Sequence, residues 1–202
     1  QVIVATPDEE IIKLVTSKGG VALKTSNNHN TGTDRVYELY DKVLKDNCDI
    51  IINLQGDMPN ISQDSIRLLS EHMIKKKCEI GTLAGKIENS EELIDKNVVK
   101  VKSKNIINYG EFSEASDFFR VCDDKKKENI YHHIGIYAFT NQALLRYVSF
   151  ERSKLELERN LEQLRALENN MKIQVGLIKD KPLSVDTEQD LEIIRKKMEH
   201  NE

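Results

Sequence analysis

Apolar residues along this chain follow two rhythms. Short runs of β-branched residues alternate with stretches where Leu, Ile and Val recur every three or four positions, the periods of strands and amphipathic helices. Val2, Ile3, Val4 and Ala5 read as a short buried strand. Thr6 is placed to cap the next helix, Pro7 fits its first turn, and Asp8, Glu9 and Glu10 favour its amino end. Ile11, Ile12, Leu14 and Val15 are its expected inward face. Gly19 and Gly20 stop it before a second strand at Val21, Ala22 and Leu23. Strand–helix–strand is the unit of a parallel sheet. A helix with Val36, Leu39, Val43 and Leu44 inward follows. Ile50, Ile51 and Ile52 then read as a central strand buried on both faces.

The alternation continues to the end of the chain. Ser62 caps a helix whose face is Ile66, Leu69 and Met73, and the lysines at 75–77 favour its carboxyl end. Residues 80–84 form a strand, Ser90 starts a short helix, and residues 98–101 alternate as a strand. Residues 102–130 carry no readable period, and the charged run at 123–128 reads as a loop. Residues 131–139 alternate again, which puts His133 and Tyr137 on one face and His132 on the other. Thr140 caps a helix with Leu144, Leu145 and Val148. Ser153 and Glu156 form a capping box opening one helix with Leu157, Leu161 and Leu164 on a stripe, ended by Asn169 and Asn170. Ile173, Val175 and Leu177 make the last strand, and residues 185–190 enter a terminal helix with Leu191 and Ile194 inward. Without repeats or a linker, this pattern predicts a single α/β domain over residues 1–202.

Composition narrows the function. The chain is 39% hydrophobic and 32% charged, as suits a soluble globular protein, and no apolar run approaches the roughly 20 residues of a membrane helix. A net charge of −4 argues against a general nucleic-acid surface. A phosphate-rich substrate would then need a metal ion and a few local cations. Cys48, Cys78 and Cys122 are too far apart for a CxxC metal site and suit a reducing cytoplasm.

Candidate chemistry gathers where expected strands end. Asp57 follows the 50–54 strand, and ligands in open α/β sheets bind beyond such carboxyl ends. Gly56 beside it removes a side chain where a ligand could approach the backbone. A carboxylate there suits Mg²⁺, which one or two carboxylates hold together with substrate phosphates. The same ten residues alone fit an ordinary strand and Asx turn equally well. The polar stretch at residues 25–35 opens a helix, a place for ligand contacts or simply a solvated loop with a cap.

Taken together, VATPDEEI, TSNNHNTGTDR, NLQGDMP, NVVKV, HIGIYAF, LEQLRALENN and VDTEQDLE occur in the order found in the 3-deoxy-manno-octulosonate cytidylyltransferase (CMP-Kdo synthetase) family, which the chain resembles over nearly its whole length. The resemblance implies a nucleotide-diphospho-sugar-transferase-like, Rossmann-like three-layer α/β domain. Its sheet would be mixed and mostly parallel, with a small dimerisation subdomain, placed here at residues 102–139. It implies a cytoplasmic homodimer that joins CTP to the sugar acid Kdo, giving CMP-Kdo and pyrophosphate for lipopolysaccharide synthesis, with Mg²⁺ as cofactor. Asp57 and Asp186 would be the catalytic metal ligands, although Asp186 alone reads as a helix-start acid. Ser26, Thr31, Gly32, Arg35 and Gln55 would contact the nucleotide. Arg120, His133, Tyr137, Glu162 and Gln163 would form the sugar pocket, with Arg120 or His133 meeting the sugar carboxylate and Arg165 a further possibility. Without the resemblance, His133 reads as a core histidine and Glu162 as a solvated helix residue.

The chain also departs from the family. Pro7 stands where Asp is usual, Met58 where Glu is usual and Ser184 where Gly is usual. Members begin with a strand and a phosphate-gripping loop, roughly RxxSxRLPxKxL, whereas this sequence opens on Gln1 inside a strand pattern; the expectation is that this segment is missing from the sequence as given. The alternatives are a cytidylyltransferase for another sugar acid, such as sialic acid, and a non-catalytic nucleotide- or sugar-binding relative.

Overall fold

The computed structural model describes residues 1–45, 47–122 and 128–199, so all but the last residue of the charged run at 123–128 lies outside the described residues. In chain order the elements are β1 (Val4–Thr6), α1 (Glu9–Ser17), β2 (Ala22–Lys24), α2 (Gly32–Leu39), β3 (Ile50–Leu54), α3 (Gln63–Lys76), β4 (Ile80–Gly85), α4 (Glu91–Ile94), β5 (Lys100–Ser103), β6 (Phe112–Phe119), β7 (Ile130–Thr140), α5 (Asn141–Val148), α6 (Lys154–Arg159), α7 (Leu164–Glu168), β8 (Ile173–Leu177) and α8 (Glu188–Glu199). A π-helical turn, Tyr40–Leu44, continues α2. No helix is long and apolar enough to cross a membrane among the described residues.

The expected βαβ unit is present: β1 and β2 pair in parallel across α1. They form a two-stranded sheet of their own, apart from a six-stranded sheet in the order β3-β7-β4-β8-β6-β5. The α1 cap is Asp8, whose carboxylate accepts from the Glu10 and Ile11 amides, while Thr6 accepts from the Asp8 amide instead. No α1 residue is buried, and its expected inward residues Ile11 and Leu14 are exposed. Val43 is exposed as well.

In the large sheet, β4 and β8 run parallel, whereas the other ladders are antiparallel. The sheet is thus mixed, as expected, but not mostly parallel. The cause is β7, whose 11 residues insert antiparallel between β3 and β4 and also reach β5. β3 lies at the sheet edge, and its residues alternate between buried and half-buried before an exposed Leu54. It is therefore not the central, doubly covered strand expected from three consecutive isoleucines. β4 fills that role, with all six residues buried.

One core cluster joins Tyr137, Phe139 and Tyr147 to Leu144, Leu161, Leu164 and Ile173 on one side of the sheet. A second joins Leu69 and Met73 of α3 to Leu83, Ile134 and Ile136. Met58, at the position where Glu is usual in the family, is buried in this second cluster.

The predicted single helix after Ser153 is two short ones. Asn160 adopts the left-handed conformation and ends α6, so Glu162 and Gln163 lie in the turn before α7. Leu157 is exposed, and Glu156 points inward in its place because two arginines meet its carboxylate.

Gly176 on β8 tests how closely this core is packed. A Cβ there would overlap the Phe112 ring, which is itself stacked on His72 with ring centroids 3.6 Å apart. Gly176→Ala should cost about 1–3 kcal/mol in urea unfolding. Gly56→Ala, where a Cβ would meet nothing within 4 Å, should stay within about 0.5 kcal/mol of wild type. Equal effects from the two substitutions would contradict this packing.

Candidate functional site

Because β3, β4 and β8 share one direction, their carboxyl ends share one edge of the sheet. Asp57 follows β3 at this edge, and the loop after β8 crosses the edge to reach it. Lys181 passes over Gly85 at the end of β4, where a Cβ would overlap its side chain. Its ammonium donates to the Lys86 carbonyl at 3.0 Å and to Glu92 at 3.1 Å. Further along, the Leu183 amide donates to Asn60 Oδ1 at 2.9 Å, and the Val185 amide donates to the Asp57 carbonyl at 2.9 Å. These contacts deliver Asp186, eight residues beyond Ile178, to the neighbourhood of Asp57.

Burial pushes the Asp57 carboxyl above its ordinary range, and the Asp186 charge pushes it further. Asp57 Oδ1 is buried with no hydrogen-bond partner. Two carboxylates in mutual repulsion, one with an orphaned buried oxygen, are a donor set suited to a hard divalent cation completed by phosphate oxygens. No group of three or more His, Cys, Asp and Glu side chains gathers among the described residues, so protein ligands alone would not complete its coordination.

The stretch expected to meet the nucleotide folds around the first turn of α2. Thr31 is the cap: its hydroxyl accepts from the Asp34 amide at 3.2 Å and donates to Asp34 Oδ2 at 2.7 Å. Arg35 donates to Thr25 Oγ1 at 2.7 Å and to the Ser26 carbonyl at 2.8 Å, holding the incoming loop against the helix. The Ser26 amide donates to Glu38, whose carboxyl is held down to about 2 by His29 and Lys42 beside it. Gln55 lies across β7, where a Cβ on Gly135 would come 3.2 Å from its Oε1.

Glu162 reaches the same helix end. Its Oε2 accepts from the Thr33 amide at 3.2 Å, and a Cβ on Gly32 would sit 4.0 Å from its Oε1. The amino end of α2 is thereby already met by a protein carboxylate. Burial raises the Glu162 carboxyl above its ordinary range, and the Thr33 amide only partly offsets this. Below it, Tyr137, Glu162 and Gln163 line one small cavity with Thr33, Tyr147 and Ile173. Its interior of about 10 Å³ has room for about one water.

His133 and Tyr137 share a face as predicted, and Tyr137 Oη lies 3.0 Å from His133 Nε2. His132 points the other way, to Glu92 at 2.7 Å. His133 sits behind Tyr137, 8% exposed, edge-on to Phe118 and 3.0 Å from the Thr82 hydroxyl. Burial holds it neutral, lowering its pKa to about 3. It is therefore a core histidine and not a cation for a sugar carboxylate. Arg120 is not in that cavity either. It lines a separate cleft of about 500 Å³ with Lys102, Phe119 and Arg159, and donates to the Lys96 carbonyl.

Sequence reading missed Asn53. It is buried on β3 and donates to Thr33 Oγ1 at 3.4 Å, beneath the α2 turn. A lone amide inside an isoleucine strand was the available signal.

This α/β architecture recurs in solved structures of low sequence identity. It matches 4-diphosphocytidyl-2C-methyl-D-erythritol synthase from Anaerococcus prevotii DSM 20548 with a TM-score of 0.58 at 15% identity, over 95% of this chain and 77% of that one. At that identity the likeness concerns the fold alone. Residues 1–173 match the cytidylyltransferase family model, and the chain belongs to that family. It is 40% identical over 201 residues to the 3-deoxy-manno-octulosonate cytidylyltransferase of Rhodopseudomonas palustris (strain BisB18), spanning 98% of this chain and 81% of that protein. A solved CMP:2-keto-3-deoxy-manno-octonic acid synthetase complexed with CTP superposes with a TM-score of 0.87 at 31% identity, over 100% of this chain and 82% of that one.

The buried histidine gives a pH test. His133 has a folded-state pKa of about 3 against an ordinary value of 6.5, so as pH falls the unfolded chain takes up the proton first. Its contribution is intact above about pH 6.5 and is lost progressively toward pH 3. Between pH 7 and 5 the loss should be about 2 kcal/mol. Urea titrations should show a shallower decline for His133→Asn over that interval. A slope equal to wild type would contradict the neutral, buried assignment.

Proposed function

We propose that the chain activates 3-deoxy-D-manno-octulosonate (Kdo) by coupling it to CTP, giving CMP-Kdo and pyrophosphate. The observation that carries this reading is the convergence of Asp57 and Asp186 at one sheet edge in a cytidylyltransferase-family chain 40% identical to a Kdo cytidylyltransferase. The anomeric hydroxyl of the sugar attacks the α-phosphorus of CTP, a new P–O bond forms, the bond to the β-phosphate bridging oxygen breaks, and the hydroxyl proton leaves to solvent. Such transfers depend on positioning and on electrostatic stabilisation around phosphorus.

Asp57 and Asp186 would hold Mg²⁺, which supplies charge neutralisation at the phosphate when bound. Both aspartates fit that role through their repulsion and the unpartnered Asp57 oxygen. The loop carrying Ser26, Thr31, Gly32 and Arg35, together with Gln55, faces the nucleotide. Glu162 and Gln163 offer an acceptor and an amide to sugar hydroxyls at the lip of their cavity, with Tyr137 forming its wall and His133 supporting Tyr137 from behind. Arg120, in its own cleft, is assigned no sugar contact. The protein acts in the cytoplasm as a homodimer, formed through the segment at residues 102–139, where Ile106 and Val121 are exposed.

Pyrophosphate release from CTP tests the reading. It should require Kdo and Mg²⁺ and fail with sialic acid in place of Kdo; release with sialic acid alone would transfer the assignment to that substrate. Asp57→Asn and Asp186→Asn should each reduce turnover by roughly a thousandfold while leaving the circular dichroism spectrum intact. Near-normal turnover in either would remove it from the site. Sedimentation at micromolar concentration should show a dimer, and a monomer there would contradict the interface.

A further inference from the structure

A second charged cluster lies beneath the candidate site and was not anticipated from the sequence. Arg165 on α7 is 2% exposed, yet all three of its guanidinium nitrogens are engaged. Nε and Nη2 donate to the two oxygens of Glu156 at 2.9 and 2.8 Å, and Nη1 donates to Asp34 Oδ1 at 3.0 Å. The guanidinium carbon lies 4.6 Å from the centroid of the Tyr147 ring. Glu156 has no exposure and also accepts from Arg152 Nε and the Ser153 amide. Asp34 in turn accepts the Thr31 hydroxyl on its other oxygen. Arg165 therefore fixes, from 131 residues away, the carboxylate that closes the first turn of α2.

Three residues before Arg165, Glu162 accepts the Thr33 amide. One short segment of chain thus grips the α2 turn twice, once through a guanidinium–carboxylate pair and once through a carboxylate on a backbone amide. Buried ion pairs of this kind give little net stability relative to apolar packing, because desolvation offsets their attraction. What they supply is orientation. The planar guanidinium sets Glu156 and Asp34 at fixed angles, which a single ammonium cannot do.

We propose that Arg165 is a positioning residue: acting through Asp34, it sets the Thr31–Gly32–Thr33 turn in register with Glu162, so that the nucleotide-facing and sugar-facing parts of the site are held as one unit. This rests on the reading that the 26–35 loop meets CTP. Arg165 itself touches neither substrate; the sugar-carboxylate contact considered for it on sequence grounds is closed to it, since it is buried and directed at Glu156 and Asp34.

Equilibrium CTP binding by calorimetry, at a temperature where each chain is folded, tests the proposal on Arg165→Lys, Asp34→Ala and the double variant. Each single substitution should weaken CTP binding about tenfold, and the double should be no weaker than the worse single, because both break the same contact. A merely structural role would lower the melting temperature and leave the CTP dissociation constant unchanged, which would overturn the proposal. Losses that multiply to about a hundredfold in the double would overturn it as well, by showing two independent effects. If wild type binds CTP but releases no pyrophosphate with Kdo, the sugar assignment fails and the positioning role still stands or falls on the dissociation constants. Full-length wild-type protein that does not bind CTP overturns both.

Discussion

Asp57 and Asp186 are like charges brought together at one edge of a sheet, and much of the structure serves to keep them there. Their repulsion and the burial of Asp57 both work against the arrangement. What opposes them is a loop tied down at successive points. Lys181 is anchored on Glu92 and the Lys86 carbonyl, Leu183 on Asn60, and Val185 on the Asp57 carbonyl itself. The loop can cross the sheet edge at all because β7 runs antiparallel between β3 and β4, leaving the carboxyl ends of β3, β4 and β8 facing the same way. Under the proposed function, a cation arriving with the substrate would offset this negative charge.

The turn at the start of α2 is held by the same economy of contacts. Thr31 and Asp34 close it internally, Asn53 supports it from β3, and the 162–165 segment grips it from α7. These groups come from three separate parts of the chain, so the turn is defined by the tertiary fold and not by local propensity. The enclosed Glu162 carboxylate is part of that arrangement at the expense of an unfavourable burial.

Much of this was readable from residue order. The βαβ start, the Ser62 and Thr140 caps and the pairing of His133 with Tyr137 followed from period and capping chemistry, which are local. The failures have physical causes. Three isoleucines in β3 look like a central strand, but the number of neighbours a strand acquires is set by topology, which periodicity does not encode. The helix after Ser153 was drawn too long because Asn160 tolerates the left-handed conformation that ends it. Periodicity places Leu157 inside, whereas it is exposed and the capping-box residue Glu156 is buried, because hydrophobic pattern has no access to a guanidinium arriving from α7. The resemblance implies that Arg120 or His133 meets the sugar carboxylate, whereas the fold puts Arg120 in a different cleft and buries His133 neutral. The segment at 102–130 resisted reading because β6 alternates in burial without alternating in apolar side chains.

The central claim is that the Asp57–Asp186 pair is a cation site completed by the nucleotide. Anomalous scattering from crystals soaked with Mn²⁺ and CTP addresses it directly. The account predicts a manganese peak within bonding distance of Asp57 Oδ1 and an Asp186 oxygen, present with CTP and weak or absent without it. A peak bound elsewhere on the protein, or CTP bound with both aspartates left free of metal, would contradict it.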